Sequence, residues 1–353
     1  MNSVRIVQFI EQSFLAPLVL NDDVTDISYN GGEIYYLDNK FGRMKSDIQI
    51  DEVTARDFIR QIANLSEKQF SFLSPKLDVS AGRFRINAVH HSIARRNNEQ
   101  CLNFAIRLSR NLSDDDLHTF LNAELIALFD TLIKSRVSIV IGGSTGSGKT
   151  ALQKHLVNKM EENTRIVIID NVLELDNLSN NNSLDINIWQ SDEKNPEASI
   201  QELVRNALRS NPDYLLVAES RGKEMIEVLN SAMTGHPIIT TIHSFDAKSM
   251  PSRIGRMILM NEQKQDIDML MQDIYYCFHF YVYLKRKILR DGTVCRYIKE
   301  IVEIDEKGRK NRIYFENNGQ IITKPISKET LSLLDASDES FRHFYGGDLK
   351  DEE

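Results

Sequence analysis

Cysteine is scarce in this 353-residue chain, where Cys101, Cys277 and Cys295 stand alone. Three scattered thiols exclude a disulfide framework and a zinc knuckle, and read as reduced thiols of a cytosolic protein. Long apolar runs are missing as well. The most hydrophobic stretch, Ile274 to Leu284 (IYYCFHFYVYL), is too short for the roughly 20 residues of a membrane span, and Lys285-Arg286-Lys287 follows it. The opening MNSVRIVQFIEQSFLAPLVL carries Glu11 and has no basic leader, so no signal peptide is expected. Positive charge is not in excess: 43 Lys and Arg against 51 Asp and Glu leave a net charge of −8. Such a balance does not suit a chain that coats nucleic acid through bulk electrostatics. What is present, 41% hydrophobic and 27% charged residues, excludes wholesale disorder, and the length suits about two domains.

The first hundred residues mix short strand-like and helix-like runs. Thr25–Ser28 and Glu33–Leu37 read as strands joined through Asn30-Gly31-Gly32, and Asp51–Ser66 places Val53, Phe58, Ile59, Ile62 and Leu65 at helical spacing. Arg83–Val89 and Gln100–Leu108 are extended. Residues 1–110 are therefore expected to form a small α+β domain, with a linker at 111–118 overlapping the polar SRNLSDDD of Ser109–Asp116. From there the pattern alternates strand and helix: Val137–Ile141, a helix over Lys149–Met160, then RIVIID at Arg165–Asp170 and Ile186–Gln190. A helix follows from Asn195-Pro196-Glu197 to Arg209, then the strands YLLVAE and IITTIH. Alternation of this kind predicts an α/β domain over 119–325, built on a mostly parallel, doubly wound sheet. Hairpins turning at Asp291-Gly292 and Lys307-Gly308 are expected after Ile274, and 326–353 reads as an acidic, frayed tail.

Gly143-Ser144-Thr145-Gly146-Ser147-Gly148-Lys149-Thr150 fits the phosphate-loop pattern G-x-x-x-x-G-K-[ST], between an apolar strand and a helical run. Glycines let successive N–H groups curl around phosphate oxygens, and the new helix adds its positive end. Lys149 is expected on the β- and γ-phosphates of ATP, and Thr150 on Mg²⁺. An accidental Gly/Ser turn is the weaker reading.

What surrounds the terminal phosphate must come from the carboxyl ends of neighbouring strands. Asp170, with Glu174 just beyond, follows RIVII, and Glu219 follows YLLVA. A carboxylate there serves a metal ion or accepts a proton from the attacking water; its plain alternative is a solvated cap. His243 closes the next strand and His236 opens it, and an imidazole in such a place can donate to a phosphate oxygen.

Taken together these motifs resemble one family, the traffic ATPases of type II and type IV secretion, type IV pili and tight-adherence pili. RIVIIDNVLEL (Arg165–Leu175) resembles the family's Asp box, LVRNALRSNPDYLLVAESRGKE (Leu203–Glu224) its Walker B region, and LNSAMTGHPIITTIHS (Leu229–Ser244) its His box. AGRFRINAV (Ala81–Val89) and AIRLSR (Ala105–Arg110) resemble arginine-bearing strands of the smaller domain. Three positions depart from the family pattern: Asp170-Asn171 stands where the Asp box usually reads Glu-Asp, one carboxylate shorter and one replaced by an amide, and Ala218 replaces the glycine before Glu219. A paired CxxC zinc element is absent, and the short length with the LVRNALR…PD pattern favours the branch serving conjugation, type IV secretion or tight-adherence pili.

The resemblance implies a RecA-like P-loop ATPase domain and a homo-hexamer at the cytoplasmic face of the inner membrane, working with membrane components of a secretion or pilus machine. It implies Glu219 as general base, Glu174, His243, His236 and Lys149 as further catalytic residues, and Thr150 with Asp170 on Mg²⁺. Arg107 and Arg85 would reach the nucleotide, with Arg83 as the neighbouring alternative to Arg85. No stable nucleic-acid binding is expected. Two rival readings remain, a DNA-dependent RecA-like motor and a slow nucleotide-gated scaffold; the Asn-rich loop at Asn177–Ser183 lacks the basic residues the first needs.

Overall fold

The computed structural model describes residues 2–109, 121–192, 195–260, 266–289 and 293–346. The chain divides into two compact units, Met1–Asn111 with Lys287–Cys295, and Leu112–Arg286 with Arg296–Glu353. The expected linker at 111–118, Arg110, the Asp291-Gly292 turn and the final 347–353 lie outside the described residues.

Unit 1 runs α1 (Asn2–Glu11), α2 (Ala16–Val19), β1 (Val24–Tyr29), β2 (Ile34–Asp38), β3 (Gly42–Lys45), α3 (Glu52–Leu65), β4 (Lys76–Ala81), β5 (Phe84–Val89), the short pair β6 (Arg95–Arg96) and β7 (Glu99–Gln100), and β8 (Asn103–Leu108). Its main sheet is antiparallel in the order β3-β2-β1-β8-β5-β4. Asp51 caps α3 by accepting from the Thr54 N–H at 2.8 Å. The stripe Phe58, Ile59 and Ile62 then packs with Phe84, Ile86, Phe104 and Ile106 of the strands. Alternation leaves the intervening residues of β5 and β8, Arg85 and Arg107 among them, on the other face.

Unit 2 runs α4 (Ala123–Lys134), β9 (Ile139–Gly143), α5 (Lys149–Asn158), β10 (Arg165–Asp170), β11 (Asp185–Gln190), α6 (Ile200–Ala207), β12 (Tyr214–Val217), α7 (Met225–Met233), β13 (Ile238–Ile242), α8 (Met250–Ile258), α9 (Ile267–Cys277), β14 (Phe280–Ile288), β15 (Val294–Ile304), β16 (Lys310–Asn317), β17 (Gln320–Thr323), α10 (Lys328–Leu331) and α11 (Glu339–Tyr345). Nine strands form one sheet in the order β11-β10-β12-β13-β9-β14-β15-β16-β17. Every pair from β11 through β14 is parallel, whereas β15–β16 and β16–β17 are antiparallel.

This is the expected mostly parallel sheet with helices on both faces. Both faces are apolar because the sheet is covered twice. Ile139, Ile141, Ile166, Ile168 and Leu216 pack with α4 and α5, while Val140, Val167, Ile169, Leu215 and Val217 pack with α6 to α9. The sheet order leaves β9 separated from β12 by β13, so the loops after β9, β12 and β13 open at the same edge.

Three expectations need correction. The helix read over Asn195–Arg209 is broken: Pro196–Ala198 is a single 3₁₀ turn, Ser199 is extended and caps α6, and Leu208–Ser210 tightens to 3₁₀ before left-handed Asn211. The β-rich region expected past Ile274 starts only at Phe280, because Ile274–Cys277 is the last turn of α9. The segment read as a frayed tail from 326 is structured as far as 346. Phe341 and Tyr345 of α11 are fully buried in the same core as α4, because two aromatics at i and i+4 share one helix face.

Phe341→Ala should therefore lower the unfolding free energy of unit 2 by about 3–5 kcal/mol, the cost of deleting a buried ring, measured by denaturant titration. A frayed segment would show almost no change.

Candidate active site

β9 ends in the phosphate loop. All five of its residues are buried, and its register pairs Gly142 with Ile242 of β13 and Gly143 with Leu284 of β14. The loop must therefore turn in a confined space. A Cβ on Gly143 would lie 2.5 Å from Ser147 Oγ and 2.6 Å from the Leu284 carbonyl oxygen, so only glycine fits. Gly148 caps α5 with φ +101°, a left-handed conformation that glycine adopts freely. The first N–H groups of α5 have no intrahelical acceptor, which leaves them for an anion.

The polar groups at this edge bind one another. The Lys149 ammonium donates to the loop's own carbonyls, Gly143 at 3.0 Å and Ser144 at 3.2 Å. Thr150 donates to Glu174 Oε2 at 2.9 Å. Glu219 sits two residues past β12 on a loop pinned to β13: Ser220 shares a hydroxyl contact with Thr240, and Thr241 donates to the Ala218 carbonyl. Its carboxylate lies between the Arg221 guanidinium at 2.7 Å and His243 Nε2 at 2.8 Å. The other ring nitrogen of His243 is 3.1 Å from the Gly143 carbonyl. Burial opposes the Glu219 charge, but Arg221, His243 and Lys149 outweigh it and hold the carboxyl below the usual range.

Asp170 behaves differently from its neighbour. It is buried, and its oxygens accept from the Val172 N–H at 2.8 Å and the Leu175 N–H at 3.1 Å. Burial pushes its carboxyl up, and those N–H groups pull against the shift. Between them Leu173 is held at φ +58°, a strained conformation for a branched residue, and Glu174 follows it to face Thr150. Asp170 therefore shapes the loop, and Glu174 is the carboxylate brought to the hydroxyl. Glu174 and Thr150 together suit Mg²⁺, which takes few protein oxygens and fills its shell with water and phosphate. Ser147 Oγ, buried without a hydrogen-bond partner among the described residues, also fits a polar ligand in the loop.

His236 is not brought to this edge. It stands two residues before β13, at the opposite end of the strand from His243, bonded to Thr234. In unit 1, Arg85 and Arg107 are direct cross-strand partners on β5 and β8, with Asp26 paired to Arg107 from β1. Arg83, just before β5, donates to Glu11 and to the Val19 carbonyl, both at 2.8 Å.

Three residues at this edge were not singled out in the sequence. Arg221 is signalled only by its place two residues after Glu219. Lys154 is one helical turn beyond Thr150 and buried; burial pushes its ammonium down, opposed by Glu174 and Asp170. Arg296 of β15 donates to the Gly146 carbonyl at 2.9 Å.

The fold and site define a P-loop nucleoside triphosphatase of the RecA-like kind. Residues 105–276 match the family of type II/IV secretion system proteins. A Bacillus anthracis protein described as uncharacterized is 31% identical over 296 residues, 81% of this chain and 66% of its own length. A putative conjugal transfer protein of Mycobacterium tuberculosis is 25% identical over 68% of this chain and 71% of its own. The Brucella suis type IV secretion system protein VirB11 is 31% identical over 46% of each chain. The ATPase DotB of Legionella pneumophila shares the fold at 18% identity, with a TM-score of 0.58 over 87% of this chain and 82% of that one. Residues 105–276, just under half of the chain, carry the likeness to the type II/IV secretion system proteins.

Asp170→Ala should leave buried N–H groups without acceptors and cost about 1–3 kcal/mol in thermal or denaturant unfolding. Glu174→Gln should leave stability nearly unchanged while weakening Mg²⁺-dependent nucleotide binding, read by calorimetric titration with and without the metal.

Proposed function

We propose that this chain hydrolyses ATP to ADP and phosphate as the motor of a type IV secretion or conjugation-like apparatus. The assembly proposed is a homo-hexamer, peripheral on the inner face of the cell membrane and attached to inner-membrane components. The observation that carries the reading is the convergence of Lys149, Thr150–Glu174 and Glu219–His243 on a single phosphate loop. Relatives described as a conjugal transfer protein and as VirB11 support the apparatus, and among the described residues no helix is long and apolar enough to cross a membrane.

In this reading Lys149 exchanges its two carbonyl contacts for phosphate oxygens. Glu219 is the general base: released from Arg221, it accepts a proton from the attacking water. His243, fixed by the Gly143 carbonyl, donates toward the terminal phosphate and steadies charge that builds there. Mg²⁺, held by Thr150 and Glu174, would neutralise phosphate charge. Asp170 positions Glu174 through the 171–175 loop and takes no proton. His236 is left out of the single-chain site.

Glu219→Gln should lower kcat by about 10²–10⁴-fold while ADP binding persists, measured by steady-state phosphate release and calorimetry. Normal turnover in that variant would remove Glu219 from the base role. ATPase rates with single- and double-stranded DNA test the rival motor, for which strong stimulation is the signature.

A further inference from the structure

The phosphate loop has two flanks. Toward β13 stand Glu219 and His243; toward β14 the neighbours are cationic. Along β14 the residues Phe280, Val282 and Leu284 alternate onto one buried face, packed with Leu152 and Leu156 of α5. The next residue on that face is Arg286, the middle member of Lys285-Arg286-Lys287. β9 has already ended opposite Leu284, so Arg286 extends beyond its partner strand to where the loop curls back. A Cβ on Gly146 would lie 3.5 Å from Arg286 Nη1. Arg286 Nε is buried with no hydrogen-bond partner among the described residues. On the adjacent strand Arg296 shares a face with buried Ile298, and its Nε donates to the Gly146 carbonyl at 2.9 Å.

A buried guanidinium N–H without an acceptor is costly, and it is tolerated where an anion completes it. Guanidinium and phosphate make the best-matched charge-assisted pair among side chains, through two parallel N–H···O bonds. We propose that Arg286 is a nucleotide-binding residue of unit 2 that contacts the diphosphate portion of the bound nucleotide, with Arg296 as the positioning residue that holds Gly146 for it. The inference rests on the nucleotide reading above and adds a phosphate ligand from the sheet that carries the loop. Because Arg286 stands on the flank away from Glu219 and His243, its contact persists after the terminal phosphate has gone. It therefore serves ADP and ATP alike.

The test is calorimetric titration of the full chain with Mg²⁺–ADP and with a non-hydrolysable ATP analogue. Arg286→Ala and Arg286→Gln should weaken both ligands by a similar factor, about tenfold or more, and Arg286→Lys by less. Thermal unfolding of the nucleotide-free variants should match the wild type; the Gln variant keeps most of the stem if the Ala variant folds poorly. Wild-type ADP affinity in both Arg286 variants, with Lys149→Ala failing to bind, would overturn the inference and leave the phosphate-loop reading intact. A loss confined to the ATP analogue would also overturn it, by making Arg286 a terminal-phosphate contact. A wild-type chain that binds neither ligand would remove the nucleotide reading itself, and this inference with it.

Discussion

The parallel pairing of β9 between β13 and β14 is the constraint on which the rest of unit 2 depends. Each strand enters the sheet from the same side, so each releases its next loop at the same edge. Ile242 opposite Gly142 places His243 one residue past the pair, beside the loop's first turn. Leu284 opposite Gly143 sends β14 along the other side. A shift of one residue would turn each side chain to the opposite face and separate every contact at this edge. Close packing against helices on both faces of the sheet opposes such a shift. Hydrophobic packing thus sets the positions of the charged groups, which make no comparable contribution to the fold.

Those charged groups are arranged in exchangeable pairs. Lys149 rests on carbonyl oxygens, Thr150 on Glu174, and Glu219 between Arg221 and His243. Lys154 lies buried near Asp170 and Glu174, where its positive charge offsets two carboxylates. A half-buried cluster of this kind would be costly if any member stood alone, since water cannot fully solvate it. In the proposed reaction a polyphosphate brings its own charge and takes over Lys149, which loosens the grip on Glu219. The resting pairs thus hold the base below its usual proton affinity and away from reaction until a ligand arrives.

Much of this was legible in the chain, and the boundary of legibility has a physical cause. The phosphate loop announces itself because its glycines, lysine and threonine act through the backbone and through fixed offsets along one turn. Strands such as RIVIID and YLLVA are visible because two-sided burial demands unbroken apolar runs. Helical extent was less legible: Ser199 reads as one more polar residue, yet its hydroxyl caps a new helix and splits the expected one. The segment after Ile326 looked like a tail because its composition is acidic, while two aromatics at helical spacing decide its burial. The sequence reading gives Asp170 to Mg²⁺ and Glu174 to the catalytic residues. They differ because one is buried under the backbone N–H groups of the loop and the other projects from that loop. Contacts set by strand register, such as Arg296 with Gly146, carry no local signal at all.

On the proposed reading, the two flanks of the loop let one fold hold nucleotide and still control when it is cleaved. Groups on the β13 side are those whose pairing must change for chemistry: Glu219 has to leave Arg221, and His243 has to turn toward phosphate. Groups on the β14 side hang from a continuous strand that runs past the loop, with Arg296 tying its neighbour to Gly146. Such a strand has little freedom to respond to a missing phosphate. Retention and cleavage are then assigned to separate structural elements, one rigid and one exchangeable. A motor needs that separation, because a product state that stays bound after cleavage is what allows a conformational step to finish before the site empties.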